Sequence, residues 1–435
     1  MAPQASALHA EVPRRRWRIA WLLGFGVLVS YIDRVNLSAA HGALIATFGI
    51  SDVAFGYLSG TYNFSYWLCQ LPIGVILDRF SVRRVGRVGI ILWSVATFGG
   101  AIAPSLSALF GARLLLGIGE APTFPASAKA VGRWFPPHER GLPTALFDAA
   151  AKFSSVIGIP LVGFVLLWAG WRWSFAVTGA ISLLYLYYFW RVYRDPDEDA
   201  DLAEVERRYI ASGDPGAEQT DGPGSTLRQL LSERKVLGLA LGFGSYNYIF
   251  YLLLTWLPTY FAFTLHIDLM HSFLYSSVPW LAATVCELAI GGALVDLLIR
   301  RGVDADRVRR IVLIGGACCG LGILGAARAH SAVQALIWIT VSISGLSAHS
   351  AVGWSVPSLI TGRRNVGKVA GIVNFSNQLS GICAPIVTGY ILTALHSYAW
   401  VFGVSAIYLA IGICGYVLLL GRIEQPLRNN SASMT

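Results

Sequence analysis

Long apolar blocks separated by short polar connections dominate this sequence. Each block is about as long as the roughly 20 apolar residues that a helix needs to cross a hydrocarbon core of about 30 Å. Charged residues make up 13% of the chain, whereas soluble proteins carry about 25%. The sequence therefore predicts an all-α integral membrane protein with twelve transmembrane helices. The predicted spans are 17–40, 54–77, 86–104, 107–130, 141–168, 171–191, 236–262, 271–298, 308–327, 331–357, 366–394 and 398–421.

Basic residues lie almost entirely on alternate connections between these blocks. The loops on the other side carry only Arg172 and Arg328. Because basic loops stay in the cytoplasm, an even number of spans predicts that both termini are cytoplasmic in a plasma (inner) membrane. The net charge of +9 then reflects topology in a lipid bilayer, and we expect no nucleic-acid partner.

One long hydrophilic segment divides the spans six and six. Its residues 201–209 and 226–235 are predicted to form short surface helices. The predicted organisation is a cytoplasmic tail (1–16), an N-terminal six-helix bundle (17–191), a cytoplasmic linker (192–235), a C-terminal six-helix bundle (236–421) and a second tail (422–435).

The two halves carry a matching element after their second spans. A glycine is followed four residues later by an aspartate and then by arginines. These residues are Gly74, Asp78, Arg79 and Arg83 in the first half, and Gly292, Asp296 and Arg300 in the second. A glycine lets two helices approach closely, and an aspartate at a helix end can pair with arginines. We predict a gate here; basic-loop topology alone is the alternative, but it does not account for the matching glycine and aspartate.

This duplicated element in a chain of six plus six spans resembles the major facilitator superfamily. Two more specific segments are similar to the anion:cation symporter family and its bacterial sugar-acid branch of galactonate- and glucarate-type proton symporters. They are Tyr-Ile-Asp-Arg-Val-Asn-Leu at 31–37 and Gly-Glu-Ala-Pro-Thr-Phe-Pro at 119–125. The resemblance implies the major facilitator fold and a monomeric proton symporter that takes up a small hydroxylated organic anion, such as a hexonate or hexarate.

Four charged residues lie inside the predicted spans: Asp33, Arg34, Arg113 and Glu120. A charge near the bilayer centre costs at least about 2.5–3.5 kcal/mol and normally faces a partner or a wet cavity. Arg113 and Glu120 are two helical turns apart, so they face one direction about 10 Å from each other. Arginine binds carboxylates bidentately and stays protonated, while a buried acid can carry a proton.

By resemblance, Arg34 contacts the substrate carboxylate, whereas Asp33 and Glu120 take up and release protons. Arg113 is expected to pair with Glu120 or a neighbouring acid. The family positions that line the sugar-acid site are matched by Tyr31, Tyr66, Trp354 and Asn374. The alternatives are that the charges form ion pairs that only orient helices, and that the aromatic residues are packed in the core.

Span 5 adds a possible accessory pair, Asp148 and Lys152, which are four residues apart on one helical face. Lys152 can supply extra positive charge for a dianion, with Asp148 holding it in the empty state. A self-satisfied pair near the cytoplasmic mouth is the alternative. Glu287 and His349 receive no predicted role.

The sequence predicts secondary active uptake and not an enzyme, because it contains no phosphate-binding loop and no His-Glu-x-x-His motif. We expect no cofactor and no metal. An anion exchanger, a facilitator or an exporter for another carboxylate is the alternative within the same class. A non-transporting membrane receptor is the alternative from another class.

Overall fold

The apolar blocks form helices, as they must where backbone polar groups can bond only to one another. The structure, a computed structural model, describes residues 13–136, 139–211, 226–361 and 363–423. Every regular element within those residues is helical. The predicted tails and the predicted linker therefore lie partly outside the described residues.

Eight helices make up the first half in the residues that the structure describes. They are α1 (Arg15–Ala39), α2 (His41–Phe48), α3 (Asp52–Arg79), α4 (Val82–Ala101), α5 (Leu106–Glu120), α6 (Thr123–Trp134), α7 (Gly141–Ala169) and α8 (Trp171–Val192). The starts of α3, α4 and α5 are fixed by Ser51, Ser81 and Ser105, whose side chains accept hydrogen bonds from the first turn.

Two short helices follow in the linker: α9 (Glu204–Ala211) and α10 (Leu227–Ser232). α9 overlaps the predicted segment 201–209 and ends two residues beyond it, and α10 lies within the predicted segment 226–235. The capping box of Thr226 and Gln229 defines the start of α10.

The second half begins at α11 (Arg234–Thr259). It continues with α12 (Leu269–Cys286), α13 (Val295–Arg300), α14 (Ala305–Gly320), α15 (Ile323–Ala327), α16 (Ala332–Gly353), α17 (Val356–Ile360), α18 (Arg363–Leu395) and α19 (Tyr398–Gly415). Three π-helical stretches extend its spans: Tyr260–Thr264, Glu287–Leu294 and Tyr416–Leu420.

Nine helices in the described ranges are long and apolar enough to cross a membrane, and α2 with α3, which bend by 118° at their junction, supply a tenth. The other two predicted spans correspond to α4, which begins with several arginines, and to α5 with α6. The latter pair is interrupted at Ala121 and Pro122. Each of the twelve predicted spans is therefore helical.

Equivalent helices pack on each other in the two halves. α1 lies along α7 as α11 lies along α18, and α4 packs on α5 as α14 packs on α16. The halves meet at two equivalent places, α3 with α18 and α7 with α12. This repeated pattern confirms the prediction of two six-helix pseudo-repeats.

The two halves are in close contact at one side of the membrane domain. We call the side that carries Arg15 and Ile423 the terminal face, and the side that carries Ala39 and Asp52 the opposite face. At the opposite face, the Ser38 hydroxyl donates to the Thr255 carbonyl oxygen at 2.5 Å. Nearby, Gly56 packs so closely on the backbone of Pro385 that no side chain fits between them. The opposite face is therefore closed.

Candidate functional site

A buried ion pair between α1 and α5 forms the centre of the site. Nε of Arg34 donates to Oε2 of Glu120 at 3.0 Å. The hydroxyl of Tyr62, on α3, donates to the same carboxylate oxygen at 2.6 Å. Both charged side chains are almost inaccessible to solvent. Three helices thus converge on one carboxylate.

Aromatic rings surround the guanidinium of Arg34. Its Cζ lies 4.0 Å from the ring centroid of Tyr31, 4.8 Å from that of Tyr62 and 5.4 Å from that of Tyr66. Tyrosine faces attract a cation and replace part of its lost hydration. The structure therefore brings the predicted residues Tyr31 and Tyr66 to Arg34, together with Tyr62, which the sequence did not single out.

The second half reaches Arg34 through Tyr251 on α11. This tyrosine interacts with Arg34 and donates a long hydrogen bond of 3.5 Å to the side-chain oxygen of Gln378. Tyr251 and Arg34 line a cavity of about 20 Å³, which is room for about one water. Nη2 of Arg34 and Oε1 of Glu120 are buried with no hydrogen-bond partner among the described residues. Both charged groups thus keep free bonding capacity, and Arg34 does so beside this cavity.

Asp33 faces away from Arg34 into the first half. The Ser182 hydroxyl donates to its Oδ2 at 2.8 Å, and Thr97 and Thr178 lie close by. Its other carboxylate oxygen has no partner within the described ranges. Asp33 is thus a buried acid held by hydroxyl groups and not an ion-pair partner of Arg34.

The expected pairing of Arg113 with Glu120 is absent. Within the described part of the chain, Glu120 pairs with Arg34, and Arg113 makes no ion pair. The two residues are two helical turns apart on α5, and they interact electrostatically without a direct ion pair. Arg113 packs on the ring of Tyr62 at 5.1 Å and lines the small cavities beside both Asp33 and Arg34.

Two predicted site residues do not join this cluster. The ring of Trp354 packs on Phe243 at 5.3 Å and is 42% exposed. Asn374 lies half-buried on α18. In the described residues, no hydrogen bond or ring contact connects either of them to Arg34. His349 lies inside the second half between the Leu313 carbonyl and the Tyr416 hydroxyl.

A second buried cation lies on α7. Nζ of Lys152 is 2.7 Å from Oε1 of Glu287 and 3.4 Å from Oδ2 of Asp148. The predicted pair with Asp148 is therefore present, but the shorter contact is with Glu287, which belongs to the second half. Lys152 and Glu287 are both buried. An ion pair thus connects the halves inside the membrane domain.

The predicted gate does not form tight contacts in this conformation. Gly74 is exposed, and a side chain there would meet open space. Gly292 likewise has room, whereas its neighbour Gly291 packs directly on Ala348 and Ala351. The expected close approach at Gly74 and Gly292 is therefore not observed in this conformation.

The charged gate residues have other surroundings. Arg79 and Asp296 are exposed, and Arg83 pairs with Glu198 of the linker at 2.9 Å. Further arginines of the first half also bind linker acids, including Arg15 with Asp199 at 3.0 Å. The side chains of Asp78 and Arg300 lie outside the described residues.

Two helical repeats that enclose a buried cation near their interface define a multi-pass membrane transporter. Residues 23–361 match the Major Facilitator Superfamily, and the chain belongs to that family. It is thus a transporter and not an enzyme, as predicted.

Relatives and solved structures agree with this assignment. The chain is 39% identical to an uncharacterised transporter of Bacillus subtilis, over 94% of this chain and 95% of the relative. It is 30% identical to a D-galactonate transporter of Escherichia coli, over 96% and 98% of the two chains. A D-xylose-proton symporter shares the fold, with a TM-score of 0.74 at 16% identity, over 94% of this chain and 99% of the other. These findings confirm the resemblance to sugar-acid transporters.

Proposed function

We propose that this protein takes up a small hydroxylated organic anion, a sugar acid, by proton symport. The observation that carries the proposal is the Arg34–Glu120 pair, in which each partner has a buried polar atom without a hydrogen-bond partner among the described residues and Arg34 lines a cavity. A substrate carboxylate competes with Glu120 for the guanidinium. When Glu120 takes up a proton, it loses its attraction for Arg34, and the substrate can then form a bidentate pair with Arg34.

The net charge of the Arg34–Glu120 site therefore does not change when the substrate binds. A proton on Glu120 and an anion on Arg34 leave the pair with the same net charge as in the empty state. On release of the substrate, Glu120 loses its proton and bonds to Arg34 again. An empty transporter therefore returns without carrying the proton back.

Asp33 is a second proton-carrying group in this scheme. The hydroxyl of Ser182 and its neighbours Thr97 and Thr178 can bond to either the charged or the neutral carboxyl, since hydroxyl groups both donate and accept. Arg113 lines the cavities beside both Asp33 and Arg34. It therefore links the two acids electrostatically.

Alternating access arises from rocking of bundle 17–191 against bundle 236–421. The charge asymmetry of the loops supports cytoplasmic termini in the inner membrane. The terminal face is then cytoplasmic, and the closed opposite face corresponds to an inward-facing state. The predicted gate at Gly74 and Asp296 closes in the outward-facing state, and Trp354 and Asn374 approach the substrate as the halves close. The transporter acts as a monomer.

The direct test of the proposed function is uptake into proteoliposomes with an imposed pH gradient. D-galactonate, the substrate named for one relative, is the first probe, followed by other six-carbon sugar acids. An acidic exterior should drive accumulation of at least one of them, and a proton ionophore should abolish it. Accumulation that ignores the gradient and requires a counter-anion inside would instead indicate an exchanger.

A further inference from the structure

Lys152 is a buried cation that the proposed proton cycle does not use. An ammonium group has three donors, and in the described part of the chain two of them meet Glu287 and Asp148. One donor remains. Glu287 also has one carboxylate oxygen, Oε2, that is buried without a partner among the described residues. The group is therefore a polar site with free donor and acceptor capacity.

Lys152 lies close to the Arg34 cluster. Gly24 faces Leu146, and Gly158 faces Ile32, so α1 and α7 run side by side in the same direction. In this register Lys152 is level with residues near 28, about six residues or roughly 9 Å along the helix axis from Arg34.

Tyr31 lies between the two cations. Its phenol interacts electrostatically with Arg34 and also with Asp148 and Lys152. Its hydroxyl is suited to the hydroxyl groups of a ligand that extends from one cation to the other. In an extended six-carbon chain, the terminal carbons are about 6 Å apart. With a hydrogen bond of about 3 Å at each end, such a ligand is long enough for the axial separation of roughly 9 Å between the two levels.

Glu287 occupies the position that a ligand anion would take on Lys152. It approaches from the second half, it is buried, and its contact at 2.7 Å is shorter than that of Asp148. A buried lysine without an anion is costly, so an empty site requires such an internal partner. Asp148 is the more exposed acid and belongs to the same helix as Lys152.

We propose that Lys152 is a second carboxylate-binding group of the central site, that Glu287 occupies it in the empty transporter, and that the substrate is a hydroxylated dicarboxylate. The proposal rests on the proposed function. One carboxylate of the substrate binds Arg34, and the other replaces Glu287 on Lys152, while Glu287 takes up a proton so that no unpaired charge stays buried. Asp148 keeps the ammonium group in place during this exchange.

The test compares two probes that differ only at one end, D-galactonate and galactarate. Their dissociation constants are measured with the purified full-length protein by ligand-dependent thermal stabilisation. The wild type should bind galactarate about tenfold more tightly than galactonate, because its second carboxylate replaces Glu287 and also accepts from the Lys152 donor that Glu287 and Asp148 leave unused. Lys152→Gln should remove this preference, so that the ratio of the two dissociation constants falls to about one.

Two further variants separate binding from folding. Lys152→Arg keeps the charge and should retain a preference for galactarate. Glu287→Gln removes the internal competitor and should tighten galactarate binding severalfold without tightening galactonate binding. The melting temperature of each empty variant reports on folding. If Lys152→Gln fails to fold, the affinity of Glu287→Gln for galactarate relative to galactonate tests the proposal instead.

Different binding results would contradict the second carboxylate site and the proposed function. Equal affinity of the wild type for the two probes, or an unchanged ratio in Glu287→Gln, would overturn the second carboxylate site and leave the proposed function standing. Absence of binding and of gradient-driven uptake for all six-carbon sugar acids would contradict the proposed function itself.

Discussion

Arg34 and Glu120 bond to each other at 3.0 Å although each retains an unused polar atom in the buried interior. A buried ion pair contributes little net stability, because the desolvation of both charges offsets their attraction. Incomplete bonding of both partners therefore points to a pair that is exchanged during function.

Removing the charge of Glu120 should separate binding from coupling. In Glu120→Gln, the amide still accepts from Tyr62, and Arg34 is released for the substrate. We expect binding at least as tight as in the wild type and loss of accumulation driven by a pH gradient. Substrate counterflow, which needs no net proton movement, should persist. Full gradient-driven accumulation by this variant would exclude Glu120 as the proton carrier.

Removing the guanidinium of Arg34 should abolish binding. Arg34→Ala leaves Glu120 as an unpaired buried charge, which costs about 3–5 kcal/mol of stability. The matched variant Arg34→Lys keeps the charge but loses the planar fork, so it should bind at least about tenfold more weakly. Thermal stabilisation by the substrate measures both effects. Wild-type affinity in Arg34→Ala would show that the anion binds elsewhere.

Asp33 lies within the first half, and its substitution should leave the substrate site intact. Asp33→Asn keeps a group that bonds to Ser182, so we expect near-normal binding and loss of gradient-driven uptake. Ser182→Ala is the control, because it removes one hydrogen bond worth about 1 kcal/mol but not the titratable group. If Asp33→Asn retains coupled uptake, Asp33 is a structural acid.

The closed opposite face depends on close backbone contact at Gly56. Gly56→Ala places a methyl group against the backbone of Pro385, and such overpacking costs about 1–3 kcal/mol. The variant should favour the state that is open at this face and reduce transport. A cysteine that replaces Ser59 should then be labelled more strongly by a membrane-impermeant reagent. Gly403→Ala, which meets open space, is the matched control; equal labelling in both variants would contradict the inferred closure.

The fold was predictable because a lipid environment allows few alternatives. Blocks such as 17–40 had to be helices that cross the membrane. The π-helical stretches of the described residues have no signal in the local sequence. The interruption at Ala121 has one, because Pro122 follows it, but the prediction of one continuous span 107–130 did not use it.

Parts of the site followed from motifs and spacing, whereas other parts required the tertiary structure. The segment around Arg34 indicated Tyr31, and the four-residue spacing indicated the contact between Asp148 and Lys152. Tyr62 and Tyr251 could not be chosen among 18 tyrosines, because their contacts depend on how each helix is rotated. The partner of Lys152 in the other half is 135 residues away in sequence, and no local pattern connects the two.

The most direct test of the central claim is the number of protons that move when substrate binds. Purified protein in weakly buffered detergent solution is mixed with a sugar acid that binds, and the pH of the solution is recorded. If the substrate displaces Glu120 from Arg34, Glu120 binds a proton. The wild type should then take up protons from the solution, and Glu120→Gln should take up fewer. Saturable binding with no proton uptake, or equal uptake by both proteins, would contradict the account.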